Sequence, residues 1–157
     1  MNSLMNAYRK CAKLPAGKHI FSKLICLKAP YFNTIKPLFK ELKPGYCEVT
    51  MKKRRAVHNH IKSVHAIAMC NLSELAAGTM LEATLPQSMR WIPKNMTVEY
   101  LKIARTNLKA VCQISTEGLD NPQELPMTVH VTDTNLSLIH ISEPTRPAPL
   151  SRMPSSA

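Results

Sequence analysis

The sequence predicts an α+β fold in which antiparallel strands gather around one long helix. Three observations carry this reading. Residues 63–85 make a continuous helical stretch rich in small apolar side chains, with Ser63 as the expected N-cap and Pro86 as the stop. Two extended segments between Ile35 and Lys53 flank the turn signal Lys43-Pro44-Gly45, and three more follow the helix. The links between strands are too short to hold the crossover helices that parallel strands require.

Each element has a local cause. Asn2 to Leu27 suits two short helices, broken at Pro15-Ala16-Gly17 and stopped by Ala29-Pro30. Tyr46 to Met51 alternates like a half-buried strand. In the long helix, Gly78 is a tolerated interruption, and Ala66, Ala68, Ala76 and Ala77 imply that another backbone approaches closely. Met96 to Ala104, Leu108 to Glu117 and Met127 to Thr134 read as extended, with Gly118-Leu119-Asp120-Asn121-Pro122 as the clearest loop.

At 157 residues the chain suits a single core, and no apolar run reaches the length of a membrane span. The five cysteines are odd in number and scattered, which points to a reduced, cytoplasmic setting rather than a disulfide scaffold or a structural zinc site. The net charge is +11, and no acid precedes Glu41. That acid-free start, residues 1–29, reads as a basic helical arm packed on the domain or as a membrane-surface segment. A second cluster, Lys52-Lys53-Arg54-Arg55, lacks interleaved aromatics, so no nucleic-acid partner is expected, while peripheral membrane contact stays open.

The end of the chain loses periodicity. LSLIHISEPTR resembles the translation of a transposase-type sequencing adapter, and SRMPSSA is similar to that of the flow-cell primer that follows it. Residues 136–157 are therefore read as a non-native tail, with the natural chain cut near Asn135. By accident, residues 136–142 alternate well enough to imitate a strand, whereas prolines from Pro144 onward predict an irregular path.

The chemistry centres on Glu74. On a helical wheel Ile67, Cys70, Glu74, Ala77 and Leu81 share one face, so the carboxylate sits on an apolar stripe. Burial there would raise its pKa toward that of a general base; the plainer reading is a solvated ion pair at the domain edge. Before the helix, the stretch HNHIKSVH places Asn59, Ser63 and His65 where unpaired N–H groups gather, a setting suited to an oxyanion. His58, His60 and His65 lack a Cys or Asp at ligand spacing, so neither metal nor cofactor is expected.

The block N-H-x-x-S-V-H-A-x-A-x-x-N-L-x-E-L-A-A-G resembles the helix signature of hot-dog-fold proteins. It is similar to the phenylacetate-pathway acyl-CoA thioesterases and closer to a bacterial hot-dog family of unassigned substrate. MTVEYLKIA resembles the strand after the helix, and the likeness spans residues 30–135. It implies a curved antiparallel sheet wrapped around the helix, truncated here by its final strand. It also implies that Asn59 orients the thioester or water, that His65 stands for the histidine of a His-Gly-Gly turn, and that the Ala66 N–H polarises the carbonyl. Glu74 would then be the base or nucleophile. Alanine in place of glycine and glutamate in place of aspartate depart from that pattern.

The resemblance further implies a homodimer or dimer of dimers acting on an acyl-CoA or other acyl thioester. Glu74 of one subunit would face the helix start of the other. Ser63, Arg90, Lys94, Lys102 and Arg105 are the expected substrate contacts, the four cations for coenzyme A phosphates. Two other classes stay open. One is a non-catalytic acyl-binding module, favoured if Met69 and Met80 fill the pocket behind Glu74; the other is a basic protein bound to membrane or nucleic acid.

Overall fold

The computed structural model describes residues 3–119, 121, 123–135, 137–144 and 147–149, the segments from 139 onward by backbone alone. Two helices open the chain, α1 (Ser3–Ala12) and α2 (Gly17–Lys28), separated by the proline-bearing turn the sequence predicts. A 3-10 turn at Pro30–Thr34 leads into the hairpin of β1 (Leu38–Lys43) and β2 (Tyr46–Met51). Gly45 supplies the left-handed φ of 75° at that turn, where an added Cβ would also meet the Ile114 carbonyl oxygen at 2.8 Å.

The long helix is α3 (Ala66–Thr84), shorter at its start than the sequence predicts. His65, not Ser63, is its N-cap. Ser63 cannot serve, because it is buried and its hydroxyl takes a 2.7 Å bond from the Asn59 amide. Six strands follow among the described residues, the first five being β3 (Met89–Trp91), β4 (Met96–Tyr100), β5 (Leu108–Gln113), β6 (Val129–Thr132) and β7 (Leu138–Pro144). Three of these end earlier than the alternation predicts; past Tyr100, for instance, the Ala104 carbonyl accepts from Val64 N instead of a strand neighbour. At three residues, β3 is too short for periodicity to show, and it has no counterpart in the sequence reading.

The six-stranded antiparallel sheet runs β1-β2-β5-β6-β7-β4, and α3 packs against β1, β2, β5, β6 and β7. That is the expected curved sheet around one helix. Leu72, Leu75, Met80 and Leu81 on the helix meet Val49, Ala110, Val129 and Val131 from the sheet in one buried core. Each large side chain so buried contributes about 1.5–3 kcal/mol.

The slot between β6 and β4 is filled by β7, paired on both sides, so the strand predicted at 136–142 forms at 138–144. The irregular path expected from Pro144 needs a correction. Residues Pro147–Pro149 form a short strand, β8, against β3. A two-stranded edge tolerates the missing proline N–H groups that a central ladder would not.

The basic start of the chain is packed onto the sheet. Met5, Cys11 and Phe21 enter the core, and Phe21 stacks edge-on against both Tyr8 and Phe39. The helices also cover the free edge of β1: Phe39 N donates to Ser22 Oγ at 3.0 Å, and Leu42 N to the Tyr8 hydroxyl at 3.2 Å. Capped in this way, the edge is closed to another strand.

Candidate active site

The loop before α3 is tied by one side chain. Asn59 Oδ1 accepts from Ile61 N and Ser63 N, both at 3.1 Å, while its Nδ2 donates to Ser63 Oγ. Lys62, with φ 62°, turns the chain inside this staple. Asn59 is therefore a loop-shaping residue with one amide hydrogen to spare, and Ser63 lies beneath the surface rather than where a substrate contact would stand.

The loop aims the helix start. His65 N donates to Val57 O at 2.8 Å and Val64 N to Ala104 O at 2.9 Å, which fixes the chain from both sides. The exposed His65 ring then caps the helix, its Nδ1 accepting from Ile67 N at 3.1 Å. Its carbonyl accepts from Ala68 N and Met69 N. Among the described residues, the Ala66 N–H finds no acceptor. One donor thus remains at the positive end of the helix dipole.

Glu74 lies two turns further along α3 and is half-buried, not enclosed as the apolar stripe predicts. The stripe changes character along its length: Leu81 and Ala77 are buried, Cys70 is half-buried, and Ile67 is 56% exposed. Glu74 stands at the transition, on the wall of a cavity of about 260 Å³ shared with Gly78, Trp91, Lys94, Met96 and Met127. Met69 and Met80, the expected fillers, lie in the core and not in this wall. Gly78 faces an indole, not the backbone expected of the small residues: an added Cβ would stand 2.7 Å from Trp91 Cη2.

Cys70 Sγ lies 3.1 Å from the Tyr100 hydroxyl, tying α3 to β4. Partial burial, then this contact, push the Tyr100 phenol up to about 12, so it stays protonated. The sequence places Cys70 on the Glu74 face but does not reveal this partner, since the pairing depends on the β4 register.

The four expected phosphate contacts do not form one cluster. Lys94 shares the Glu74 cavity and pairs with Glu124 at 2.9 Å. Arg90 lines a different hollow with Glu82 and Gln87. Lys102 and Arg105 are exposed on the segment whose Ala104 carbonyl holds the helix start. Among the described residues, no three His, Cys, Asp or Glu side chains are grouped to hold a metal.

A family described as a domain of unknown function, DUF4442, matches residues 17–141. The crystal structure of a genomics target is 41% identical, with a TM-score of 0.82 over 94% of this chain and 99% of that one. A Pseudomonas aeruginosa protein described as a probable thioesterase is 20% identical, with a TM-score of 0.74 over 85% of this chain and 95% of its own. The Escherichia coli PaaI protein of the phenylacetic acid degradation operon is 12% identical, with a TM-score of 0.65 over 85% and 100%. These likenesses establish the hot-dog fold. No curated protein matches.

Proposed function

The chain belongs to the DUF4442 family, and from that premise we propose that it is a thioester hydrolase acting on acyl-CoA or a similar acyl thioester. The observation that carries the reading is the unpartnered Ala66 N–H at a capped helix start, on the same helix as a carboxylate that borders an open cavity. The N–H would take the thioester carbonyl oxygen as it gains negative charge. Glu74 would draw a proton from water, or attack the carbonyl carbon itself, with the thiolate of the carrier as leaving group. The thioesterase descriptions of proteins sharing the fold support this class of reaction.

One helix cannot supply both groups to one substrate. Eight residues separate Ala66 from Glu74 in α3, about 12 Å of rise. Two subunits solve this if Glu74 of one meets the helix start of the other. Ile67 on α3 and Tyr100, Leu101 and Ile103 at and after β4 are exposed apolar side chains on segments joined by the Cys70–Tyr100 contact, and they could be covered in such a dimer. Lys94, Lys102 and Arg105 are the cations we assign to the phosphates of the carrier, whereas Arg90 lines a separate hollow.

The test is a hydrolysis screen across acyl-CoA chain lengths with two variants. Glu74→Gln keeps shape and removes the base. Ala66→Pro removes only the free N–H: proline suits the first helical position, and His65 already holds φ −65° and ψ 138°, as a residue before proline should. Both variants should stay folded and lose turnover by about 100-fold or more. Wild-type turnover in either would remove that group from the mechanism.

A further inference from the structure

The two basic clusters of the sequence play no part in the thioester site, yet the fold brings them together. Lys23 of α2, Lys36, Lys40 of β1, Lys52 and Arg54 line one cleft of about 740 Å³. None of its described lining residues is a carboxylate. The four lysines take part in no ion pair among the described residues. Arg54 is anchored by a hydrogen bond from Nη2 to the Thr34 carbonyl, so its charge is held at the wall. Lys36 adopts a left-handed φ of 46° where the chain turns from Pro30–Thr34 into β1. Five like charges gathered without counter-charge repel one another, and an anion in the cleft would relieve that repulsion. The floor is apolar, with Pro37, Leu38 and Met51.

The lip of the cleft carries a second feature. Helix α2 turns Phe21 toward the core and His19, Lys23 and Cys26 toward the cleft. The next strip around its surface holds Ile20, Leu24 and Leu27, spaced by four and three, which are 39%, 46% and 77% exposed. Tyr31, in the turn after the helix, is also exposed. Aliphatic residues in a continuous exposed strip, flanked by lysines and with no acid before Glu41, have the composition of a helix that rests in a bilayer interface.

We propose that the α2 ridge and the cleft beside it form a docking surface for an anionic phospholipid membrane, the ridge entering the interface and the cleft lysines taking headgroup phosphates. Charge complementarity commits the occupant: an uncharged protein partner would meet the ridge but leave five cations unanswered. The surface goes beyond the thioesterase reading, because the cleft shares no lining residue with the Glu74 cavity. Hydrolysis and docking are therefore separable.

Flotation of the full chain with vesicles tests this. Phosphatidylcholine vesicles containing phosphatidylglycerol should carry the protein up, pure phosphatidylcholine vesicles should not, and raised salt should release it. Lys23→Gln with Lys40→Gln should weaken binding about tenfold or more. Leu24→Asp with Leu27→Asp should abolish it, while acyl-CoA hydrolysis by soluble protein stays unchanged in both double variants. Binding that is equal on neutral vesicles, or untouched by the lysine changes, would overturn the proposal. So would a change in sedimentation of the leucine variant without lipid, which would assign the ridge to a contact between subunits.

Discussion

One missing methyl group shapes the cavity beside Glu74. A Cβ at Gly78 would stand 2.7 Å and 2.8 Å from two carbons of the Trp91 ring, closer than such contacts allow. The indole therefore owes its place to glycine, and it forms part of the cavity wall. Because Trp91 is the only tryptophan, its emission reports on this wall. Gly78→Ala should push the ring outward and shift its emission to the red. Moving the ring costs about 1–3 kcal/mol, offset by roughly 1 kcal/mol that alanine gains over glycine in a helix, and thermal melts read the net change. An unchanged spectrum with a higher melting point would mean that the ring yields without cost. The sequence made Gly78 visible only as an interruption, because its partner arrives from β3, an element without a periodic signature. The pairing of Asn59 with Ser63, which leaves the N-cap to His65, is hidden in the sequence for a related reason. Both residue types cap helices and contact substrates, but here each satisfies the other in the loop, and such a pairing has no hydrophobic pattern to betray it.

At the scale of elements, β2 and β5 place Cys47 directly opposite Cys112, and both are free thiols buried in the sheet. Burial pushes the Cys112 thiol up to about 12 and the Cys47 thiol well above its ordinary value of 9.0, with Cys112 as a further cause for the latter. The unfolded chain releases these protons at lower pH than the folded one. Stability is thus fully present below about pH 9 and falls as pH rises from there toward 12. Denaturant midpoints measured between those limits should fall, and Cys47→Ala with Cys112→Ala should flatten the slope even though the cavities left behind lower stability overall. A slope the same in both proteins would assign the loss to other groups. Strand β2 was legible through its alternation, and α3 through its length and Pro86. The turn at Pro44-Gly45 was legible because few residues adopt that backbone. The ends of β4, β5 and β6 were not, since tertiary hydrogen bonds such as Val64 N to Ala104 O decide where a strand stops.

For the whole molecule, the proposed mechanism requires Glu74 to meet a carbonyl bound at an N–H about 12 Å away along the same helix. The convergence of separate segments is what a one-dimensional pattern hides, and two such convergences organise this protein: the basic cleft within one chain, and the proposed composite site between two. The second has a decisive test. Glu74→Gln and Ala66→Pro each remove one half of the site, so each purified variant should be inactive. In a mixed dimer, one site carries both lesions, while the other joins the intact Glu74 of the proline variant to the intact Ala66 of the glutamine variant. Equal amounts, unfolded together and refolded, should give about half mixed dimers and recover about a quarter of the wild-type rate. Merely mixing the folded proteins should recover that rate only as fast as subunits exchange. If Glu74 and Ala66 acted within one chain, every chain in the mixture would stay defective and no rate would return at any ratio. A monomer in sedimentation at micromolar concentration would leave the two groups apart and defeat the composite site by a separate route.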